Sequence, residues 1–325
     1  MSDSNPSAEK IFLSNRLYNE SSESDKHTTP LAEIQDYIGY NPQARSDRFG
    51  NRYYFSPDKY FFDREKEKKA MLMVTQDGQE VLRRFPRFLR IINDLLIEVN
   101  KPYGLGKLPN SSVINIDNGY YKITRIKEAE GLQSSGFVIE IYENDKEVKQ
   151  KFFVKVRRRI KESTTGEDIS QPYFYEALQI QSVYNELGES ARQKRIRFPK
   201  IFFATSEVLV EEYVPNDNPN WFKDRKRLVD LLEFLKELIN FLKEKGNVSL
   251  FNNLLPDLFF PPANLRLNNI FCDNNGNLII VDPFFRTEKE GSLNEELKDG
   301  SLEKQIEEII ARLNEYLRRE LIEKK

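Results

Sequence analysis

Between residues 119 and 214 the chain repeats one local device five times and interrupts it once. GYYKITRIKEA, GFVIEIYE and KFFVKVRRR are short runs rich in β-branched and aromatic residues, bounded by turn formers, and each reads as a strand. ENDKE supplies the turn between the second and third. Pro172 then opens YFYEALQIQSVYNEL, a helix that Gly188 is expected to end. KIFFAT and EVLVEEYV return to the strand pattern. The order β-β-β-α-β-β predicts an antiparallel sheet with one inserted helix.

Downstream the pattern turns helical. RKRLVDLLEFLKELINFLKEKG predicts a long amphipathic helix stopped at glycine. NLRLNNIFCDNNGNLIIVDPFF follows as a hairpin around DNNGN, and a last helix sets Leu302, Ile306, Ile309, Ile310, Leu313, Leu317 and Leu321 on one stripe. The expected fold class is therefore α+β: a sheet half, then a reduced helical half, with a cleft between them. Upstream, FLRIINDLLIEV places Phe88, Ile91, Ile92, Leu95, Leu96 and Val99 at helical spacing, while RFGNRYYFSPDKYFF reads as either a hairpin or an irregular arm. KPYGLGKLPNSS reads as a linker. The divisions expected are a disordered Ser- and Asn-rich segment 1–30, an extension 31–112, a sheet domain 113–216 and a helical domain 217–325.

Composition enters by exclusion. The single histidine, His27, and single cysteine, Cys272, leave no base for a Ser-His or Cys-His nucleophile and no ligand set for a His/Cys zinc site. Catalysis on this chain must use carboxylates, amides, Lys or Arg, with an oxygen-loving cation such as Mg²⁺. Lys plus Arg is 50 against 52 for Asp plus Glu, which argues against nucleic acid as a partner, and the basic clusters RRRIK and RQKRIR read as solvated surface. No apolar run reaches the ~20 residues of a membrane span. The start MSDSNPSAEK does not read as a signal peptide, and one cysteine suits a reducing compartment, so the expected location is cytoplasmic.

Several residues stand out for their chemistry. Gly131 and Gly136 bracket a polar loop where bare backbone can approach an anion, although an ordinary hairpin turn explains them as well. Lys155 lies among apolar neighbours in FFVKV, where a lysine needs a partner if it is buried. Glu176, in the helix FYEALQIQ, is a candidate partner. Asn264, Asn269 and Asp282 flank the hairpin at spacings of five and thirteen residues. Turn propensity accounts for the asparagines around residue 274, but not for Asp282 after LIIV and before proline.

In this order the residues resemble the protein-kinase-like superfamily, which includes eukaryotic-type kinases, aminoglycoside-phosphotransferase-like kinases and kinase-like bacteriophage proteins. The resemblance spans about residues 119–290. It implies a two-lobed fold in which Gly131 and Gly136 belong to the phosphate loop, with Gln133 replacing its middle glycine. Lys155 would hold ATP phosphates with Glu176 as its helix partner, and Glu212 to Val214 would form the hinge that meets adenine. Asn269 and Asp282 would hold Mg²⁺ on the phosphates. The pair Asp282-Pro283 resembles the phage-type members, which would place the chain in a host cytoplasm.

The resemblance breaks at the catalytic loop. Pro262-Ala263-Asn264 stands where the family carries HRD or HGD, and an amide cannot act as general base. Arg266, two residues on, offers a guanidinium that would neutralise γ-phosphate charge. Glu211 stands where the family has an apolar residue behind the adenine, and an inward carboxylate there would oppose nucleotide. The expected function is thus a pseudokinase, or a strongly impaired phosphotransferase, that binds ATP and Mg²⁺ and acts through a protein partner. Two alternatives stay open: an active phosphotransferase or nucleotidyl transferase with atypical loop chemistry, and an interaction protein that has lost nucleotide binding.

Overall fold

The computed structural model describes residues 41–47, 49–55, 71–100, 110–116, 119–126, 134–143, 147–157, 173–244 and 270–281, with single positions at 34, 311, 315 and 318. The expected segment 1–30 and the terminal helix stripe lie outside the described residues, the three isolated positions excepted. The described residues form an α+β structure that divides into two compact units, residues 1–174 with 200–213, and residues 175–199 with 214–325.

The first unit is built on a nine-stranded antiparallel sheet. Its strands are β1 (Asn41–Ser46), β2 (Arg52–Phe55), β3 (Met71–Val74), β4 (Ser111–Ile116), β5 (Gly119–Ile126), β6 (Ser134–Glu143), β7 (Glu147–Arg157), β9 (Ile201–Ala204) and β10 (Val208–Glu212). The spatial order is β1-β2-β3-β9-β10-β7-β6-β5-β4. The three strands expected from 119 to 157 are present, and β9 and β10 return beside β7 after a helical excursion. Strands upstream of residue 112 join the same sheet, β1 to β3 through β9, and β4, which starts at Ser111, is its far edge. The aromatic segment RFGNRYYFSP therefore contributes a hairpin strand. Its turn is held by Asp47, which accepts bonds from Phe49 N, Asn51 N, Asn51 Nδ2 and the Tyr53 hydroxyl.

Two helices cover one face of this sheet. α1 (Gln76–Arg84) starts at Thr75, whose hydroxyl caps Gly78 N and donates to Ile201 O at 2.7 Å. Gly78 is required there, because a Cβ would stand 2.1 Å from the Phe202 carbonyl oxygen. α2 (Phe88–Asn100) buries the stripe read from sequence, Phe88, Ile91, Ile92, Leu95, Leu96 and Val99. These side chains meet Phe137, Ile139, Ile141, Phe152, Val154, Val156, Val208 and Val210 in one core. Phe88 lies at its centre, 4.5 Å from the Phe152 ring.

The second unit carries α3 (Tyr173–Gln193, which begins in the first), β8 (Ile196–Arg197), a 3-10 turn (Trp221–Lys223), α4 (Arg225–Glu244) and the hairpin β11 (Ile270–Cys272) and β12 (Leu278–Ile280). Gly188 does not end α3. It sits with no heavy atom within 4 Å of a notional Cβ, so glycine costs the helix only its entropy there. Ala191, buried beyond it, carries the helix on, and the stop comes at Arg195 with φ 54. The expected hairpin is present, with Ile270 opposite Ile280 and Gly276 at φ 79 in its turn. Asp273 fixes that turn by accepting from Asn275 N, Asn277 N and Asn277 Nδ2. The indole of Trp221 donates to Ile270 O at 3.1 Å and anchors the hairpin beside the start of α4.

Candidate functional site

The site is the face of β6, β7 and β10 turned away from the helices. Antiparallel register puts Gly136 opposite Lys155, Lys155 opposite Leu209, Val138 opposite Phe153, and Phe153 opposite Glu211. Directly opposed residues share a face, and alternate residues along a strand do too. Gly136, Val138, Phe153, Lys155, Leu209 and Glu211 are thus one surface, while Phe152, Val154 and Val156 point into the core. Lys155 is 7% exposed and Glu211 is 2% exposed. The Lys155 ammonium stands 3.6 Å from Glu211 Oε1.

A buried ion pair of this kind loses hydration on both sides and recovers it only through its partner and further polar contacts. Val138 and Leu209 are buried on the same face, so the pair sits among apolar neighbours. The row continues to Arg157 and Glu207, whose backbones are joined by Arg157 N to Glu207 O at 2.8 Å. The Arg157 guanidinium lies over the Tyr173 ring at 4.7 Å. Two cations and two carboxylates therefore lie along the β7–β10 seam.

In the other direction the same face becomes half-exposed. Glu140 lies between Lys122 and Lys151 across three strands, 3.4 Å from the first and 2.6 Å from the second. Burial pushes the Glu140 carboxyl up, but the hydrogen bonds and charges of Lys151 and Lys122 outweigh it and hold the group below its ordinary value of 4.5. Tyr120 stacks on Tyr142, and Lys151 lies over the Tyr213 ring at 5.6 Å.

The residues expected from sequence are distributed as follows. Gly136 and Lys155 are brought together, and Glu211 is buried on the same face with its carboxylate 3.6 Å from the Lys155 ammonium. Glu176 is buried in the first turn of α3, within the second unit. Glu212 follows Glu211 onto the opposite face. There it lines a groove of about 320 Å³ with Asp77, Val81, Phe85, Lys200 and Phe202. Val214 is buried just beyond, in the second unit. Gly131, Asn264, Arg266, Asn269 and Asp282 lie outside the described residues. Among the described residues there is no group of three metal-ligating side chains, and no helix is long and apolar enough to cross a membrane.

The signal for Glu211 was present in EVLVEE. Glu207, Leu209 and Glu211 alternate with Val208 and Val210, and the valines join the cluster that holds α2 while Leu209 is buried on the other face. The basic cluster RQKRIR is largely neutralised at the surface, since Arg192 pairs with Glu189, Lys194 with Glu237 and Arg197 with Asp273.

No family model, no curated protein and no solved structure matches the chain. The functional reading therefore stands on the residues themselves.

Proposed function

We propose that the chain is a kinase-like protein that holds ATP through Lys155, with Mg²⁺ on the phosphates, and works through a protein partner rather than by rapid phosphoryl transfer. The observation that supports this reading is the placement of Lys155. It lies on β7, the last strand before α3, buried, with Gly136 opposite it on β6 and Leu209 opposite it on β10. A fixed buried cation beside a residue without a side chain suits a phosphate oxygen, which needs charge and close approach. The two remaining open faces of the reading, Asn269 and Asp282 for Mg²⁺ and Arg266 for γ-phosphate charge, rest on the sequence order alone.

When bound, Mg²⁺ would neutralise phosphate charge and orient the terminal phosphoryl group. Lys155 would fix the inner phosphates and Gly136 would leave them room. Asn264 positions by hydrogen bonding but takes no proton, and loss of a positioned base costs about 10²- to 10⁴-fold. Partner presentation is accordingly the output favoured over turnover.

The test is a pair of melting curves. ATP with Mg²⁺ is expected to raise the Tm of the wild type and to leave Lys155→Met unmoved; ligand bound only to the folded state must stabilise it. A wild type that does not respond to ATP with Mg²⁺ sinks the reading. In addition, Asn264→Asp is expected to increase transfer of γ-phosphate label to water or protein, and an unchanged rate would mean that residue 264 is not placed at a catalytic centre.

A further inference from the structure

A phosphate-holding lysine is ordinarily paired so that its charge remains available to the ligand. Here a carboxylate, Glu211, stands on the adjacent strand, on the same face, and is itself buried to 2% exposure. Lys155 and Glu211 are separated by 3.6 Å, so any anion that reaches Lys155 comes within a few ångströms of a second negative charge. In a site shielded from water that repulsion is screened little.

We infer that Glu211 sets the ligand selectivity of this site, by competing for Lys155 and discriminating between metal-complexed and metal-free polyphosphate. A polyphosphate that carries a divalent cation presents less negative charge than the same chain without one. The carboxylate therefore penalises the bare anion more than the complex. Glu211 acts here as a specificity-determining residue, and its role rests on the reading of Lys155 as the phosphate anchor.

The probe is inorganic tripolyphosphate, titrated calorimetrically with and without Mg²⁺ into wild type, Glu211→Gln and Lys155→Met. The expected result is a gain for Glu211→Gln of about tenfold or more in affinity for metal-free tripolyphosphate, and a clearly smaller gain for the Mg²⁺ complex. The dependence of binding on Mg²⁺ thus shrinks in the variant. A purely structural Glu211 would change both affinities in parallel, and that outcome overturns the inference while leaving the phosphate site intact. Equal binding by wild type and Lys155→Met overturns the anchor itself, and the inference with it. Should Glu211→Gln not fold, Glu211→Asp keeps the charge but withdraws it by one methylene. It is expected to show the same asymmetry at reduced size, and no asymmetry there refutes the proposal.

Discussion

Strands β6, β7 and β10 carry two faces of contrary character, set one residue apart along the same backbone. On one face Phe137, Ile139, Phe152, Val154, Val156, Val208 and Val210 meet α2 in a dry core. On the other, Val138 and Leu209 are buried as well, but beside them Lys155 and Glu211 form a buried ionic pair. The first face explains why the sheet is stable. The second costs stability by desolvation and so calls for another reason to exist. Burial alone therefore does not locate a core. The chemistry of what is buried distinguishes the face that packs against α2 from the face that carries the ion pair.

The sharpest way to break this contrast is to remove a ring from the dry face. Phe152 and Phe88 are both fully buried and their rings lie 4.5 Å apart, so Phe152→Ala is expected to cost about 3–5 kcal/mol in chemical denaturation. Polyphosphate selectivity of the protein that remains folded should not change. A loss below about 1 kcal/mol would mean that the helical face is not the principal core.

The ionic face is expected to respond differently, because its cost lies in breaking a pair. Lys155→Met leaves the Glu211 carboxylate buried beside an apolar chain, with an expected loss of about 3 kcal/mol. Adding Glu211→Met should restore much of it, so that the double variant is more stable than either single one. Additive losses in that cycle would show that the two charges do not interact.

A smaller effect belongs to the half-exposed end of the same face. Glu140 is 11% exposed at its side chain but its lysines are about 40% exposed, so solvent weakens the row and Glu140→Gln should cost only about 1 kcal/mol. Its carboxyl pKa is lowered in the folded state, so the unfolded chain takes up its proton first as the solution is acidified. The contribution is full above pH 4.5, the ordinary value, and is lost as the pH falls through the folded value. The difference in stability between wild type and Glu140→Gln should therefore vanish in acid, and a difference that persists at low pH would exclude the charge row as its source.

The sequence made one face more legible than the other. The five strands of 119–214, α2, α4 and the hairpin follow from local period and turn chemistry, which a single chain displays. α1 escaped because TQDGQEVLRR is polar and its helix depends on the Thr75 cap and the close approach of Gly78 to β9. β4 escaped because it begins only in the last two residues of the stretch read as a linker and its place in the sheet comes from pairing with β5. Gly188 misled for the converse reason, since local propensity yielded to the packing of Ala191. At the site, Lys155 is conspicuous as a lysine among apolar residues. Its pairing with Glu211 depends on the register of β7 against β10, a non-local fact that no spacing in one strand contains.

On the proposed function, Lys155 receives phosphate while Lys122 and Lys151 on the same sheet face do not. Nitrogen-15 resonances of the lysine side-chain ammonium groups, followed by NMR during addition of tripolyphosphate with Mg²⁺, test it most directly. Lys155 is expected to shift saturably, while Lys122 and Lys151, held by Glu140, stay near their starting positions. A Lys155 signal that stays still, or three lysines that move together in proportion to ionic strength, would contradict it.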